Sequence, residues 1–245
     1  MKSRSPSAPR FAGMSAARAA SSVAALALVA GCATGPNANP ADPLEPLNRQ
    51  VARFNDTVDE AVLVPVATAY VHVLPSPVRT GVNNFFGNLS DVWSFVNSVL
   101  QLKLQDSAQT FARVNVNTIF GLGGLLDIAT EAGLDRHSED FGLTLGRWGV
   151  PSGPYLVLPL LGPSTVRDAA ALPLDFRGDA LSYVNNIPVR NSLIALRLVD
   201  LRSNLLRASQ LLENAALDRY TFTRDAFLQR RRSEVHDGNL PDEEK

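Results

Sequence analysis

Apolar residues recur along most of this chain at alternating spacings of three and four, the period of a helix with one apolar face. Leu44, Leu47, Val51, Phe54, Val58 and Ala61 form the first such stripe, with Arg49, Arg53, Asp56 and Glu60 on other faces. Pro65 predicts a second helix that starts or is limited there, because a first turn tolerates proline best. It runs through Tyr70 to about Val73, where Pro75-Ser76-Pro77 breaks the chain. From Val78 to Phe120 the pattern is helical again, with an interruption expected near Gly87-Asn88. Within it Leu104, Ala108, Phe111 and Ala112 make one stripe, and Gln105, Gln109 and Arg113 another. Gly121-Leu122-Gly123-Gly124 closes the region as a loop.

Asp140 to Gly146 has the length of a short helix, and Gly149 to Pro154 reads as a turn. Tyr155 to Leu161 is continuously apolar, which fits a short hairpin or a bilayer-facing loop equally. Thr165 and Asp168 stand at capping-box spacing, so a helix starts there. Leu193 to Leu217 is the longest amphipathic segment, with Ile194, Leu198, Leu201, Leu205, Ala208 and Leu212 on one face. A last helix spans Asp218 to about Arg231. The expected fold is all-α, with at most a small β-hairpin near 147–161.

The N-terminus departs from this pattern. Residues 1–31 carry Lys2, Arg4, Arg10 and Arg18, then the apolar run Val23 to Ala30, then small residues. Basic, apolar and small segments in that order make a secretory signal. The run is too short for a bilayer span, which takes about 20 apolar residues. Val29-Ala30-Gly31-Cys32 resembles a bacterial lipobox, in which the thiol receives a diacylglycerol and cleavage precedes the cysteine. Cys32 is the lone cysteine, so it is the expected lipidation site and no intramolecular disulfide forms. Ala33 follows it where aspartate would favour the inner membrane, so the outer membrane is expected. The chain then divides into signal peptide 1–31, lipidated tether 32–41, helical domain 42–232 and a disordered acidic tail 233–245.

Without residues 1–31, 19 Lys and Arg stand against 24 Asp and Glu, a net charge of −5. That excludes nucleic acid as the main partner. Catalytic chemistry leaves no trace in the sequence. His72, His137 and His236 lack metal-ligand spacing. There is neither a G-x-S-x-G elbow nor a P-loop lysine, and Gly121-x-Gly123-Gly124 is a turn rather than a dinucleotide fingerprint. Asp127, Glu131, Asp135 and Glu139 recur every four residues, which weighs as a solvated acidic face against a cation site. The expectation is no enzyme, no metal and no cofactor. Asn83, Asn84, Asn88, Asn97, Asn115 and Asn117 are unusually dense among apolar stretches; such amides cap helices or line a polar cavity.

Several segments together resemble the VacJ/MlaA lipoprotein family. Asp42-Pro-Leu-Glu-Pro-Leu-Asn48-Arg49 comes first, then Phe54-Asn55, Pro75-x-Pro77-x-Arg79-x-Gly81 and Asn83 to Leu89. Arg113-x-x-x-Asn117-Thr118-x-x-Gly121, Gly123-Gly124-x-x-Asp127 and Asp140 to Gly146 follow. The most specific run is Trp148 to Asp168. The resemblance covers about 42 to 230, and beyond Leu172 only in helical character. It implies a ring of amphipathic helices in the inner leaflet of the outer membrane, with a polar-lined passage. It further implies removal of stray phospholipids from the outer leaflet, trimeric porins that hold the ring, and a soluble periplasmic lipid carrier that receives the cargo.

Charge and amide composition agree with such a passage, because a phospholipid head crosses hydrocarbon only at high cost. The apolar faces are too short to span and fit an interfacial position; they fit an ordinary soluble core equally. Arg167 and Asp168 are candidates for the passage wall, or form a local ion pair at a helix start. Gly149, Gly153 and Gly162 are candidate hinges of a gating loop, or belong to a rigid loop packed on the core. The alternative function is a structural lipoprotein that supports porins or the envelope without moving lipid. A lipid hydrolase would need a nucleophile and base that the sequence does not offer.

Overall fold

The computed structural model describes residues 39–215 and 217–239. The expected signal segment, Cys32, most of the tether, and the tail from residue 240 lie outside them. The fold is all-α apart from one two-stranded antiparallel sheet. Helix α1 (Glu45–Val58) continues through a π-helical turn (Asp59–Leu63) into α2 (Val64–Val73), whose first turn holds Pro65. Then come α3 (Ser76–Leu100), α4 (Leu104–Ile119), the single turn α5 (Ile128–Glu131) and α6 (Phe141–Arg147). The hairpin β1 (Tyr155–Leu158) and β2 (Gly162–Thr165) leads directly into α7 (Val166–Gly178). A 3-10 turn (Ala180–Tyr183), α8 (Ile187–Ala215) and α9 (Arg219–Val235) complete the order. Asp127, Asp140, Thr165 and Asp218 each accept a backbone N–H at the start of α5, α6, α7 and α9. These caps satisfy donors that a helix end leaves open.

The packing closes a circuit. α1 lies on β1, β2 on α7, α7 on α6, α6 on α3, α3 on α8, and α8 on α2, which returns through the π turn to α1. Arg202 of α8 clamps the π turn by donating to both oxygens of Asp59, at 2.7 and 2.8 Å. The ring order is therefore set by contacts far apart in sequence.

Burial runs opposite to the usual sense. Among the described residues, buried polar and charged side chains outnumber buried apolar ones by more than two to one. In α4 the apolar stripe faces out, with Leu104 76% and Phe111 56% exposed. Its inward face is Ser107, Thr110, Arg113 and Asn117. In α8, Leu198, Leu201 and Leu205 are half-exposed while Asp200 and Ser203 are buried. In α1, Leu47 and Phe54 of the first apolar stripe are exposed, and the buried residue is Asn48. α3 turns Asn88, Asp91, Ser94, Asn97 and Ser98 inward.

Asn48 shows how an amide organises this interior. Its Nδ2 donates to the Tyr155 carbonyl at 3.0 Å and to Asp42 Oδ1 at 2.8 Å, and its Oδ1 accepts the Val157 N–H at 2.9 Å. Asn55 does the same one step on, donating to the Leu158 carbonyl (2.9 Å) and accepting the Leu160 N–H (2.8 Å). Seven residues of helix rise about 10.5 Å. Three residues of strand advance about 10 Å. The i, i+7 pair thus matches the β1 edge and substitutes for a third strand. Asn48→Ala strips buried partners from Tyr155 and Val157, each costing about 1–3 kcal/mol. Chemical unfolding of the purified protein in mild detergent should show a loss of about 2–4 kcal/mol. Asn55→Ala, nearer solvent, should cost about 1 kcal/mol.

Four boundaries differ from expectation. α3 is unbroken through Gly87-Asn88. Gly87 is small there because the Arg136 guanidinium packs against it: an added methyl would sit 2.6 Å from Nη1. The break falls instead at Gln101–Lys103, where Leu102 takes a positive φ of 60°. The hairpin pairs residues 155–165, so it begins after the expected 147, and Gly149 to Pro154 form the loop that precedes it. Its tip, Leu160-Leu161, is apolar and exposed. α9 runs past Arg231 to Val235, and residues 236–239 fold back so that Asp237 pairs with Lys103 and Arg147. Of the segment expected as a tail, residues 233–235 are the end of α9 and 236–239 form a turn closed by backbone hydrogen bonds to Ser233 and His236.

Candidate functional site

The buried polar face is organised into ion networks, each tying distant elements together. In the first, Arg113 of α4 donates to both oxygens of Asp127 at 3.0 and 3.1 Å, to Thr130 Oγ1 at 3.0 Å, and to the Leu134 carbonyl. Asp91 of α3 lies 3.7 Å from Arg113 Nε and accepts from Arg136 at 3.2 Å. Asn117 donates to Asp127 at 2.9 Å and accepts the Ala129 N–H at 2.9 Å. In the second, Arg231 of α9 donates to both oxygens of Asp140 (2.6 and 3.0 Å) and to Asp168 (3.0 Å). Arg167 shares Asp168 at 2.9 Å. In the third, Asp42 accepts from Tyr220 (2.6 Å), Asn48 (2.8 Å) and Arg224 (3.3 Å). Asp200 differs: its side-chain partners are Tyr70 Oη (3.0 Å), Asn83 (3.1 Å) and Asn204 (3.4 Å), with no cation in salt-bridge range among the described residues. Burial and that bond push the Tyr70 phenol up to about 12.

The carboxylates respond to these surroundings. Burial pushes Asp127 up, but the Thr130 and Asn117 hydrogen bonds and the Arg113 charge outweigh it and hold it at about 2. Asp91 goes the other way: its burial outweighs Arg136 and Arg113, and its carboxyl is raised. Asp168 is buried too, yet Arg231 and Arg167 bring it below the usual range. A lowered folded-state pKa stabilises the protein above the unfolded value and loses that contribution as pH falls through the folded one. For Asp127 the window runs from 3.8 down to about 2. A thermal-unfolding series from pH 5 to 2 should show the melting temperature fall across it, and Asp127→Asn should flatten that fall.

The site residues expected from sequence fall in two places. Gly149, Gly153 and Arg167 line one cavity of about 510 Å³, between the loop after α6 and helix α9. Gly162 lines a second, of about 370 Å³, with Arg49, Tyr155, Pro163 and Tyr220. Asp168 stands behind Arg167 and fixes it, and Thr165 caps the same helix start, so Arg167 is at once ion-paired and on a cavity wall. All three glycines hold positive φ, between 67° and 90°. Cys32 lies outside the described residues. The four-residue acidic series is neither a cation site nor simply a solvated face. Asp127 holds Arg113, Glu139 holds Lys103 at 2.7 Å, and no described group of acids and histidines has metal geometry. Sequence reasoning assigned no role to Asn48, Asn55, Arg113, Asp140 or Arg231. The i, i+7 amides on an otherwise amphipathic helix were the available signal for the first two.

No described helix is long and apolar enough to cross a membrane. The apolar outer faces and the polar interior therefore belong to helices too short or too polar to span.

The same arrangement occurs in known proteins. The sequence profile of the family described as "MlaA lipoprotein" matches residues 40–234. The "Intermembrane phospholipid transport system lipoprotein MlaA" of Escherichia coli (strain K12) is 35% identical over 223 residues, covering 89% of this chain and 88% of the relative. The protein of the same name from Haemophilus influenzae is 32% identical over 205 residues, covering 81% of each. A solved structure described under "Structural basis for maintenance of bacterial outer membrane lipid asymmetry" superposes with a TM-score of 0.69 at 36% identity. That match covers 79% of this chain and 98% of the other. With the family profile matching residues 40–234, relatives at 32–35% identity over most of the chain and a solved structure of the same fold, the chain belongs to the MlaA lipoprotein family.

Proposed function

We propose that this protein is a lipid-anchored component of an intermembrane phospholipid transport system at the outer membrane. In this reading it removes mislocalised phospholipids from the outer leaflet through a polar passage and hands them to a soluble periplasmic carrier. Cys32 carries the acyl anchor, and trimeric porins hold the ring in place. The observation that carries the reading is the reversed burial: leucines and phenylalanines outside, amides, hydroxyls and paired charges inside. Exposed apolar faces on helices too short to span are stable when they lie in the apolar layer of one leaflet. A polar interior at that depth lowers the cost that hydrocarbon imposes on a phosphate head. The names of the E. coli and H. influenzae relatives, and the lipid asymmetry of the solved structure's description, agree with it.

The loop 149–162 is the gate in this reading, with Gly149, Gly153 and Gly162 as its hinges. The test measures outer-leaflet phospholipid in cells lacking the protein and in cells given back wild type, Cys32→Ala or Gly162→Val. Deletion should raise outer-leaflet phospholipid, wild type should restore it, and Cys32→Ala should restore little. Gly162 has open space around it but φ +82°, so valine there acts through backbone strain on the hairpin turn. It should leave the protein folded and impair restoration. Unchanged outer-leaflet phospholipid on deletion would instead favour a structural lipoprotein that moves no lipid.

A further inference from the structure

The cavity between the 149–153 loop and α9 has a wall chemistry of its own. Its cations are Arg167, Arg231 and Arg232, joined by the His236 ring and the hydroxyls of Ser152 and Thr165; no carboxylate lines it. The neighbouring acids Asp140, Asp168 and Glu234 pair with these arginines without lining the cavity. Asp168 takes Nε and Nη2 of Arg167, while Asp140 and Asp168 together take Arg231. They hold both arginines rigid without entering the cavity.

The Arg167 side chain is more than nine-tenths buried, yet its Nη1 takes no part in the Asp168 pairing. Gly146 makes room for that nitrogen: a methyl added there would lie 2.5 Å from it. A pre-positioned guanidinium on the wall of an open, carboxylate-free cavity, with one nitrogen outside the Asp168 pairing, suits an oxyanion. Arginine matches phosphate in particular, by charge and by its fork of parallel donors.

We propose that this cavity binds a phosphate group. Its volume of about 510 Å³ holds a phosphodiester headgroup with its glycerol, but not the two acyl chains of a membrane lipid. The phosphate comes either from a phospholipid head, whose tails remain outside, or from free phosphate. The anion chemistry rests on the cavity alone; only the lipid source rests on the proposed function.

The full chain, purified in a phosphate-free maltoside detergent, is titrated calorimetrically with two probes. One is dihexanoyl phosphatidylglycerol below its micelle concentration, and the other is inorganic phosphate. Dihexanoylglycerol, which lacks the phosphate, is the control. The expected result is saturable binding of a phosphate-bearing probe and none of the control. Binding of the lipid, with competition by inorganic phosphate, assigns the site to headgroups; binding of inorganic phosphate alone assigns it to the free ion. Arg167→Gln should weaken binding at least about tenfold, the worth of one charge-assisted hydrogen bond. Because that variant disturbs the Asp168 pair, Val150→Trp provides a second route. Val150 is exposed on the cavity lining, and tryptophan there fills the space while keeping every cation. It should also weaken binding about tenfold or more. Arg53→Gln, an exposed cation of the other cavity, should leave binding unchanged. The proposal is overturned if neither phosphate probe saturates, if Val150→Trp binds as wild type, or if Arg53→Gln weakens binding as much as Arg167→Gln. A failed outer-leaflet assay with intact phosphate binding would sink the transport reading and leave this site standing.

Discussion

Replacing Arg113 with alanine is expected to cost about 3–5 kcal/mol, the penalty for leaving buried charges without their partner. Arg113 is 0% exposed. Its guanidinium is the meeting point of α3, α4 and the turn into α5, through Asp91, Asp127 and Thr130. Alanine leaves Asp127 with hydrogen bonds but no neutralising charge, and Asp91 with Arg136 alone. It also opens a void the size of the longest side chain in the core. For a domain of this length each kcal/mol moves the melting temperature about 2–4 °C. A drop of about 10 °C or more is therefore expected in a thermal melt of the detergent-solubilised protein. Arg113→Lys should recover part of it, since lysine restores charge but not the fork that meets both Asp127 oxygens. A melting temperature within a couple of degrees of wild type for Arg113→Ala would show that the network is an ornament of the fold and not its fastening.

The places where the sequence was legible and where it was not follow from what a helical period contains. Helix ends were readable because proline and capping chemistry are local. Pro75 and the Thr165–Asp168 box fall where the chain starts its helices, and Pro65 falls in the first turn after the π-helical segment. The period identified the stripes of α1, α4 and α8 but not their sense, since the same spacing serves an apolar core and an apolar exterior. One chemical cue was present. The inward stripe of α4 is Ser107, Thr110, Arg113 and Asn117, rich in amides and hydroxyls, where a water-facing stripe is mostly lysine and glutamate. Gly87 misled because a glycine that weakens a helix and a glycine that admits a neighbour look alike in sequence; only Arg136, 49 positions away, tells them apart. The partnerships of Arg231 with Asp140 and of Asn48 with β1 span 91 and up to 109 positions, and no local pattern encodes them. Arg167 and Asp168 are neighbours in sequence and pair in the structure, but Arg231, which also donates to Asp168, was not visible from their spacing.

The sense of the stripes yields the sharpest test, on α8. Leu198, Leu201 and Leu205 point away from the packed interior, and Asp200 points into it. In a water-soluble helix the leucines would hold the fold and the aspartate would be dispensable; here the order reverses. Changing all three leucines to glutamine should leave the thermal stability in detergent within about 1–2 kcal/mol of wild type, as surface substitutions usually do. Membrane affinity should fall instead. Full burial of a leucine is worth about 1.5–3 kcal/mol, so three half-exposed ones contribute roughly 3 kcal/mol, about a hundredfold in partition. Liposome flotation reads this directly, in a Cys32→Ala background so that no acyl anchor masks the loss. Asp200→Leu should do the opposite: it removes the acceptor of Tyr70 Oη, Asn83 Nδ2 and Asn204 Nδ2, strands donors in the interior, and costs about 2–4 kcal/mol of folding stability. Flotation of whatever remains folded should be unchanged. If the leucine triple unfolds while Asp200→Leu is neutral or stabilising, the leucines are the true core, and the apolar exterior on which the membrane placement depends does not exist in the working protein.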